Sequence, residues 1–356
     1  MKRTLLLLLC CTLCLTTYAR KDKDRLSDKY LVVTDFVKAD GKTDVADAIQ
    51  KVIDSNPNRT LFFPDGTYLL SHSLLTPADP TKSVHLVLSN YAILKAADNW
   101  PSDGGAIVRL GGEHPYNSIY INGSNYGIEG GIIDGSGIAD GISIDSGRET
   151  RICRVSIKKT RIGIHILRGA NSGSSDADIS DVNIVGNNTI QSVGVLVEGY
   201  DNTFTNMRIA AVHYGIWCKT GGNCFRNIHP LFSFGDNQEY DSSCGFVIER
   251  GDNWMNFCYS DQFATGFRLS RGIRCNLTDC FVFWYNGKVP FQTAIHCDGT
   301  LESIVTSMHA GFHGDCQTIT MLEADEGGRG VLLHPVCPER LYSDKDVSAS
   351  YITSSY

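Results

Sequence analysis

The tetrapeptide Gly141-Ile-Ser-Ile144 has a pattern that recurs along the chain: glycine, apolar, variable, apolar. The other copies are Gly163-Ile-His-Ile, Gly194-Val-Leu-Val, Gly215-Ile-Trp-Cys, Gly245-Phe-Val-Ile, Gly266-Phe-Arg-Leu, Ala294-Ile-His-Cys and Thr318-Ile-Thr-Met. Their first residues are 22, 31, 21, 30, 21, 28 and 24 positions apart. A propeller blade needs about 40 residues, and leucine-rich repeats need their own Leu/Asn template. Short alternating strands at this spacing predict the coils of a parallel β-helix.

A second row of residues supports this repeat. An Asp or Asn lies about ten or more residues before each of several glycine strands, and an apolar strand follows it directly. These residues are Asp181, Asn206, Asn227, Asn256 and Asp279. Stacked Asx side chains at a bend hydrogen-bond to one another and to backbone groups that the bend leaves unpaired. We therefore expect a structural turn row, and its two aspartates are set aside as catalytic candidates.

Composition narrows the functional classes. The 356 residues are 42% hydrophobic and 20% charged, with 35 glycines, which is typical of a globular protein rather than a disordered, collagen-like or coiled-coil chain. The formal net charge is −7, so we expect no nucleic-acid partner.

The N-terminus has the features of a secretory signal peptide. Lys2 and Arg3 precede an apolar run from Leu5 to Leu15, and the small residues Thr17 and Ala19 follow. The run is too short to cross a bilayer comfortably, and no later stretch is long and apolar enough. The pattern predicts a signal peptide over residues 1–19, a secreted or periplasmic protein, a β-helix domain over residues 20–337 and a C-terminal tail over residues 338–356.

Ten cysteines follow the predicted cleavage site. Cys218 and Cys224 are close enough in sequence for a disulfide to close a small loop, and an exported protein can form one. Cys218 and Cys297 fall at inward positions of the repeat, where cysteine acts as a small apolar residue. Core packing is therefore the expectation for most cysteines. The sequence contains no doubled C-x-x-C pattern, which is the spacing that would predict a metal site.

Four segments near the N-terminus carry a resemblance to a known superfamily. They are Val33-Thr-Asp-Phe36, Asp40-Gly-Lys-Thr-Asp44, Ala48-Ile-Gln50 and Phe62-Phe-Pro-Asp-Gly-Thr-Tyr-Leu69. In this order they resemble the opening of the pectate-lyase-like (pectin lyase fold) superfamily, most closely its polygalacturonases and rhamnogalacturonases. The resemblance implies a single-stranded right-handed parallel β-helix with an N-terminal capping helix. In the capping segment, about residues 31–60, Asp44 or Thr43 can cap a helix that reaches about Asp54 and covers the end of the stack.

The resemblance also suggests residues for catalysis. Asp140 precedes Gly141-Ile in the position of a polygalacturonase acid, and His213-Tyr-Gly-Ile is similar to the histidine element of that family. Thr160-Arg-Ile162 stands where the family has a pair of aspartates. Because an inverting hydrolase needs two carboxyl groups roughly 6.5–9.5 Å apart, the second acid must come from elsewhere.

A long insertion supplies the other candidates. Residues 232–243 precede a glycine strand one coil after His213 and carry Asp236, Glu239 and Asp241, and Asp261 follows one coil later. We expect Asp140, His213, Asp241 and Asp261 to face one groove. An acid among Glu239, Asp241 and Asp261 would be the general acid, and Asp140 or a loop residue the base. Asp140 lies four coils before Asp241, so the loop cluster with His213 is the stronger candidate.

Substrate binding is expected from outward-facing residues of the strands and loops. Trp217, Lys219 and Arg268 alternate outward and suit ring stacking and pairing with an acidic sugar. The alternative is that this row, with His165, Glu198, Glu249, His296 and Asp298, is a charged sheet face that opposes aggregation. Further candidates for sugar contact are Asp236, Trp284, Tyr285 and His309.

These features predict an exported carbohydrate-active enzyme, first a glycoside hydrolase acting on a polysaccharide, either pectin-like or otherwise acidic. A polysaccharide lyase and a fructan-cyclising transferase are alternatives on the same fold. A non-catalytic glycan-binding or trimeric surface protein is the alternative from outside enzymology. The expected partner is a polysaccharide or oligosaccharide, with no cofactor except Ca²⁺ in the case of a lyase. A homotrimer is compatible with the fold.

Overall fold

The computed structural model describes residues 30–111, 125–168, 175–284, 292–299, 303–312, 319–325, 331–333, 344–345 and 352–353. Its strands pair in parallel with strands one coil away along the chain. Ile142 lies opposite Ile164, and Ile164 lies opposite Val195. The predicted right-handed parallel β-helix is confirmed.

Three sheets form the sides of the helix. The first contains Leu31–Val32, Thr60–Phe63, His85–Leu88, Asn125–Glu129, Arg148–Cys153, Asp178–Ser180, Asn253–Asn256, Cys275–Thr278, Ile304–Thr306, Val331–Leu333 and Ile352–Thr353. The second contains Asp40–Asp44, Gly66–Leu70, Ala92–Ala96, Ile132–Asp134, Ser156–Thr160, Asn183–Gly186, Tyr259–Asp261, Phe281–Trp284 and His309–Phe312. Two long strands, Thr203–Ala210 and Cys224–Leu231, run through both sheets.

The third sheet consists of the glycine strands that the repeat predicted. Its strands are Leu74–Leu75, Ala106–Leu110, Asp140–Ile144, Ile162–Ile166, Val193–Val197, Tyr214–Cys218, Cys244–Ile248, Thr265–Leu269, Gln292–Cys297, Ile319–Ala324 and Asp344–Lys345. The glycines are needed because neighbouring coils approach closely. A Cβ atom added at Gly163 would lie 2.6 Å from the carbonyl oxygen of Gly194.

Alternate residues of each strand fill the interior. Phe204 and Phe225 stack at a centroid distance of 4.9 Å, and Phe246 and Phe267 stack at 4.6 Å. Stacking follows from the fold because identical positions of successive coils lie only about 4.8 Å apart. The other residue of each alternating pair faces outward, so every sheet presents columns of side chains that run parallel to the helix axis.

The Asx row occupies the corner between the first and second sheets. Asp181, Asn206 and Asn227 have left-handed backbone angles (φ of 56°, 55° and 54°). The amide of Asn227 donates to Asn206 (2.9 Å), and the amide of Asn206 donates to Asp181 (3.2 Å). The row departs from the prediction at Asn256, which ends its strand, because Phe257 takes the left-handed position there (φ 57°).

A second asparagine ladder, which the sequence pattern did not predict, is buried at the corner between the third and first sheets. Asn202, Asn223 and Asn253 are each at most 1% exposed. Both the backbone N–H and the side-chain amide of Asn202 donate to Asn223 Oδ1, at 3.1 and 3.0 Å. Asn223 makes the same two bonds to Asn253 Oδ1, at 3.0 and 3.2 Å. These bonds satisfy backbone groups that the bend leaves without sheet partners.

The capping segment contains the α-helix α1, Ala46–Ser55, and there is a 3₁₀ turn at Val33–Asp35 and another at Pro80–Lys82. Val45, rather than the predicted Asp44 or Thr43, takes the N-cap position and makes no side-chain capping bond, while Asp44 accepts a bond from the N–H of Ala46 (3.1 Å). Gln50 bonds to both backbone groups of Leu75, at 2.9 and 2.8 Å. The helix thereby covers the first strand of the third sheet.

The disulfide that the spacing of Cys218 and Cys224 would allow is not formed. Both cysteines are free, as are the six others in the described part of the chain. Cys218 and Cys297 are buried, as core packing predicts. No helix among the described residues is long and apolar enough to cross a membrane. Residues 1–19 lie outside the described ranges, and two short strands after residue 338 continue the first and third sheets.

Candidate functional site

The second sheet carries an open groove on its outer face, which we call the sheet-two groove. Two outward columns of side chains form it. One column is Lys158, Val185, Ala210, Leu231, Asp261 and Phe283. The other is Ser156, Asn183, Arg208, His229, Tyr259, Phe281 and His309. They face outward because the intervening residues of each strand are buried in the core.

A cavity of about 330 Å³ lies at the centre of this groove. Its floor is formed by the small or aliphatic side chains of Val185, Ala210 and Leu231, and Arg208 and His229 lie beside them. Lys158 and Asp261 stand four coils apart in one column, which is about 19 Å along the axis. The groove is therefore long enough for several linked sugar rings and has a charged group toward each end.

Asp261 is the acid of the groove. Its side chain is 14% exposed, Oδ2 lies 3.4 Å from the Tyr259 hydroxyl and 3.5 Å from His229 Nε2, and the phenol donates to it. Oδ1 is buried and has no hydrogen-bond partner among the described residues. His229 approaches the carboxylate without hydrogen-bond alignment, because its ring lies flat against Tyr259. One carboxylate oxygen is therefore buried without a partner among the described residues, and the other lies beside Tyr259 and His229 at the groove.

An aromatic column continues from this acid. The His229 and Tyr259 rings stack at 4.0 Å, Tyr259 packs on Phe281 at 4.8 Å, and Phe281 packs on His309 at 5.5 Å. Burial raises the pKa of Tyr259, and the charge of Asp261 raises it further. The phenol therefore stays protonated and remains a hydrogen-bond donor. Partly exposed rings beside polar groups are the surfaces on which sugar rings stack.

Basic side chains line the other part of the groove. Arg208 is exposed, and Lys158 is half-buried. Burial lowers the pKa of Lys158. These two side chains give the groove a cationic wall, although the protein as a whole is negatively charged. Such a wall attracts the carboxylates of an acidic polysaccharide.

The predicted loop of residues 232–243 lies at the corner between the second and third sheets. It starts beside Asp261, whose carbonyl accepts a bond from the N–H of Phe232 (2.9 Å). Asp236, Glu239 and Asp241 are all exposed. Glu239 accepts a bond from Ser242 at 3.3 Å, whereas Asp241 makes no side-chain bond to the described residues. The loop acids and Asp261 therefore share one corner of the coil.

His213 is buried beneath this loop, at 1% exposure. Its Nδ1 lies 3.0 Å from Gln238 Oε1, and its Nε2 lies 3.0 Å from Ser242 Oγ. The histidine thus contacts the loop through two polar side chains that the sequence reasoning did not single out. A buried ring cannot touch a polysaccharide directly, so any chemistry of His213 must pass through Ser242.

Asp140 is in a different environment from the other candidate acids. It begins a strand of the third sheet, is 9% exposed, and accepts bonds from Arg161 Nε (3.1 Å) and from the N–H of Ile162 (3.2 Å). It is therefore paired on one oxygen with the arginine of Thr160-Arg161-Ile162. Asp140 lies at the same corner as Asp261 but five coils before it, about 24 Å along the axis, so the two carboxylates do not form one catalytic pair.

The outward row on the third sheet is present, and its charges are paired. Trp217 donates to Glu249 at 2.7 Å, and Lys219 lies 2.9 Å from Glu198 and 5.0 Å from the Trp217 ring centre. Arg268 donates to both carboxylate oxygens of Asp298, at 3.0 and 3.1 Å. These contacts favour the charged-face alternative for Trp217, Lys219 and Arg268, because each polar group already has a partner.

Three further candidates for sugar contact have different outcomes. Trp284 is 1% exposed and donates to the carbonyl of Phe263 (2.6 Å), so its predicted stacking on a sugar is wrong. It occupies an inward position of its strand, one residue after Phe283. Tyr285 lies outside the described residues. His309 is exposed and ends the aromatic column of the sheet-two groove.

The sequence reasoning missed most residues of this groove. The alternation in Asn227-Ile-His229-Pro-Leu231 and in Tyr259-Ser-Asp261 contained the signal, because both segments follow a turn of the Asx corner and have buried central positions. The sequence predicted apolar strands after these turns, but not which of their residues face outward together.

Among the described residues, one cluster of side chains could hold a metal ion. His296, Asp298 and Asp325 each offer a ligand atom within 4.8 Å of the others. They lie on the outer face of the third sheet, away from the sheet-two groove, and Arg268 already neutralises Asp298. These partly exposed groups form ion pairs of the charged face.

Comparison with solved structures finds the same fold in proteins of low sequence identity. The endo-xylogalacturonan hydrolase from Aspergillus tubingensis is 12% identical with a TM-score of 0.60, and the match covers 92% of this chain and 99% of the hydrolase. An alginate lyase from Paenibacillus is 14% identical with a TM-score of 0.53, over 78% of this chain and 97% of the lyase.

A Geobacillus virus E2 protein, ORF18, is 15% identical with a TM-score of 0.59; the match covers 87% of this chain but only 62% of the viral protein. Identities this low show the fold alone. No curated protein matches the sequence.

The family model named rhamnogalacturonase A/epimerase, pectate lyase-like matches residues 31–267. This range is about two thirds of the chain, and it includes the capping helix, most coils and the sheet-two groove as far as Asp261. It also contains the segments on which the resemblance was recognised. The chain therefore belongs to the rhamnogalacturonase A/epimerase family of pectate-lyase-like proteins.

Proposed function

We propose that this protein is an exported enzyme that binds an acidic polysaccharide along the sheet-two groove and cleaves it, first of all as a glycoside hydrolase. The observation that carries the proposal is Asp261, a mostly buried carboxylate whose Oδ2 lies beside Tyr259 and His229 on the wall of a groove that also carries Arg208 and Lys158. The export part rests on the signal peptide predicted over residues 1–19.

The groove suits a sugar chain in three respects. Its apolar floor at Ala210 and Leu231 accepts the faces of sugar rings, and the aromatic column at Tyr259 offers a stacking surface. Arg208 adds a cation for a uronate carboxylate. The groove runs along the helix axis, so repeating sugars would meet successive coils.

Hydrolysis requires a second carboxyl group. Glu239 and Asp241 are the candidates, because their loop starts at Phe232, whose N–H donates to the carbonyl of Asp261. Asp261 is the better general acid of these residues, since it is the most shielded from solvent. A loop carboxylate would then activate the water as general base.

A polysaccharide lyase is the second candidate, because the charged and aromatic residues of the groove could also carry out a lyase reaction. Arg208 would neutralise a uronate carboxylate, and Lys158 or His229 would remove the adjacent proton. Tyr259, which stays protonated, would supply the proton to the leaving oxygen. The family relationship supports both candidates, and solved structures of the same fold bear the names of a hydrolase and of a lyase.

Digestion of a panel of acidic and neutral polysaccharides tests the proposal. New reducing ends without ultraviolet absorbance identify a hydrolase, whereas unsaturated ends that absorb identify a lyase. Asp261→Asn should lower turnover by at least about 100-fold in the hydrolase. Asp279→Asn is the matched control, because Asp279 is exposed at the Asx corner, where asparagine keeps the left-handed backbone.

Two results would contradict the proposal. Binding to polysaccharide without any product would identify a glycan-binding protein. Equal turnover of the Asp261→Asn variant and the wild type would place the active site outside the sheet-two groove.

A further inference from the structure

We propose that Ser242, His213 and Gln238 form a catalytic triad that hydrolyses carboxylic esters of an alcohol, such as an acetyl group carried on a sugar hydroxyl. This activity is separate from cleavage of the glycosidic bond and does not depend on Asp261. It would use the loop of residues 232–243 rather than the sheet-two groove.

The three side chains have the distances that such a triad requires. Ser242 Oγ lies 3.0 Å from His213 Nε2, and His213 Nδ1 lies 3.0 Å from Gln238 Oε1. Ser242 is exposed while His213 is buried, so the nucleophile faces solvent and the base is held behind it. Nucleophile, base and orienting group are recognised by these contacts rather than by their order in sequence.

The hydrogen-bond network assigns the tautomer of His213. Gln238 uses its amide nitrogen to donate to Asn188 Oδ1 at 3.1 Å, which leaves its oxygen to accept from histidine Nδ1–H. Nε2 is then unprotonated and accepts the hydroxyl proton of Ser242. This is the protonation state that a general base needs.

The loop is fixed in place over His213. It folds back across the coil of His213 to the previous coil, where the N–H of Ile190 donates to the carbonyl of Asn237 (3.1 Å). Close approach at this point depends on glycine, because a Cβ atom at Gly235 would lie 2.6 Å from the Asn188 side-chain nitrogen. The triad geometry is therefore held by contacts on both sides of the histidine.

The reaction follows from this arrangement. Ser242 Oγ attacks the ester carbonyl carbon while His213 Nε2 takes the hydroxyl proton, and the carbon–oxygen bond to the alcohol breaks as His213 returns that proton to it. Water then hydrolyses the acyl-serine by the same proton transfers, releasing the acid. The backbone N–H groups of Asp241 and Ser242 donate to no described residue, so the proposal assigns the oxyanion to them.

Glu239 is the one feature that opposes the reaction. Its Oε2 lies 3.3 Å from Ser242 Oγ and competes with His213 for the hydroxyl proton. The contact to His213 is the shorter one. A negative charge at this position also disfavours a developing oxyanion, so Glu239→Gln should raise the rate of ester hydrolysis.

Two measurements on the full-length protein test the proposal. The first is labelling with a fluorophosphonate probe, with the labelled residue identified by peptide mass spectrometry. The second is hydrolysis of p-nitrophenyl acetate and of acetylated polysaccharides. We expect labelling at Ser242. Ser242→Ala should lower ester hydrolysis at least about 1,000-fold. Ser233→Ala is the matched control, because Ser233 lies in the same loop and its side chain makes no hydrogen bond to a described residue.

Gln238 is a positioning residue, and two variants separate that role from simple support of the loop. Gln238→Ala should slow both labelling and hydrolysis. Gln238→Glu should restore them, because a carboxylate also orients His213 and Asn188 can turn its amide to donate. Absence of probe at Ser242, or wild-type hydrolysis by Ser242→Ala, would overturn the proposal. Neither result depends on whether the sheet-two groove cleaves a polysaccharide.

Discussion

The hydroxyl of Tyr259 donates to the carboxylate of Asp261 across 3.4 Å, on adjacent outward positions of one strand. Removing the hydroxyl tests what Asp261 does. For a hydrolase, Tyr259→Phe removes one supporting hydrogen bond, and kcat/KM should fall roughly 5- to 10-fold, since such a bond contributes about 1 kcal/mol. For a lyase in which Tyr259 supplies the proton, the loss should reach at least about 100-fold. Unchanged kinetics on a cleaved substrate would exclude both roles.

The cationic wall predicts salt-dependent binding. Arg208→Ala should weaken binding of an acidic polysaccharide by roughly 2- to 5-fold at low salt, because an exposed charge contributes up to about 1 kcal/mol. The difference should shrink at high salt, where exposed charges are screened. Arg226→Ala is the matched control, since Arg226 is exposed on the first sheet, outside the groove. Titration at two salt concentrations measures the effect, and an equal loss in both variants would contradict the proposed groove.

The buried asparagine ladder predicts a large loss of stability. Asn223→Ala leaves the backbone and side-chain donors of Asn202 without an acceptor. Each buried unsatisfied group costs roughly 1–3 kcal/mol, so the free energy of unfolding should fall by about 3 kcal/mol. Denaturant titration measures it. Asn227→Gly removes a link of the exposed ladder while keeping the left-handed backbone, and it should cost less than about 1.5 kcal/mol. Similar losses in both variants would show that burial does not distinguish the ladders.

The free thiols predict a selective labelling pattern. Burial raises the pKa of Cys218 to about 11 and that of Cys244 to about 12. Both stay protonated and shielded at pH 8, so a thiol reagent should leave them unmodified in the native protein. Cys224 is only half-buried and should react. Mass spectrometry of alkylated peptides gives the result. If neither Cys224 nor Cys218 reacts with the reagent until a reductant is added, the two cysteines form a disulfide instead.

Glu198 predicts part of the acid sensitivity of the third sheet. Burial alone would raise its pKa, but hydrogen bonds from His165 and Lys219 outweigh burial and lower the pKa. A lowered pKa stabilises the fold above the ordinary value of 4.5 and loses that contribution as the pH falls. Wild type should therefore exceed Glu198→Gln in urea midpoint at pH 7, and the two should converge near pH 3. A constant difference across this range would contradict the assignment.

The candidate site was predictable only in part. Asp261, His309 and the loop acids were singled out because they precede or flank glycine strands, and the structure gives Asp261 and His309 places in the sheet-two groove. His229, Tyr259, Arg208 and Lys158 were missed. Their nearest neighbours in space are 21 to 30 positions away in sequence, as with His229 opposite Arg208 and opposite Tyr259. A shift of one position in any coil would turn these side chains into the core.

The sequence by itself determined the coil. The glycine strands, the Asx corner and the capping helix depend on backbone angle, close approach and alternation, which are properties of short segments. Only the tertiary structure decided which outward residues share a surface. In the folded protein Asp140 pairs with Arg161, His213 is buried beneath Ser242, and Trp284 lies in the core. These contacts depend on the register between coils and on how the loops fold over the coils. Because the insertions differ in length from coil to coil, neither can be predicted from sequence spacing.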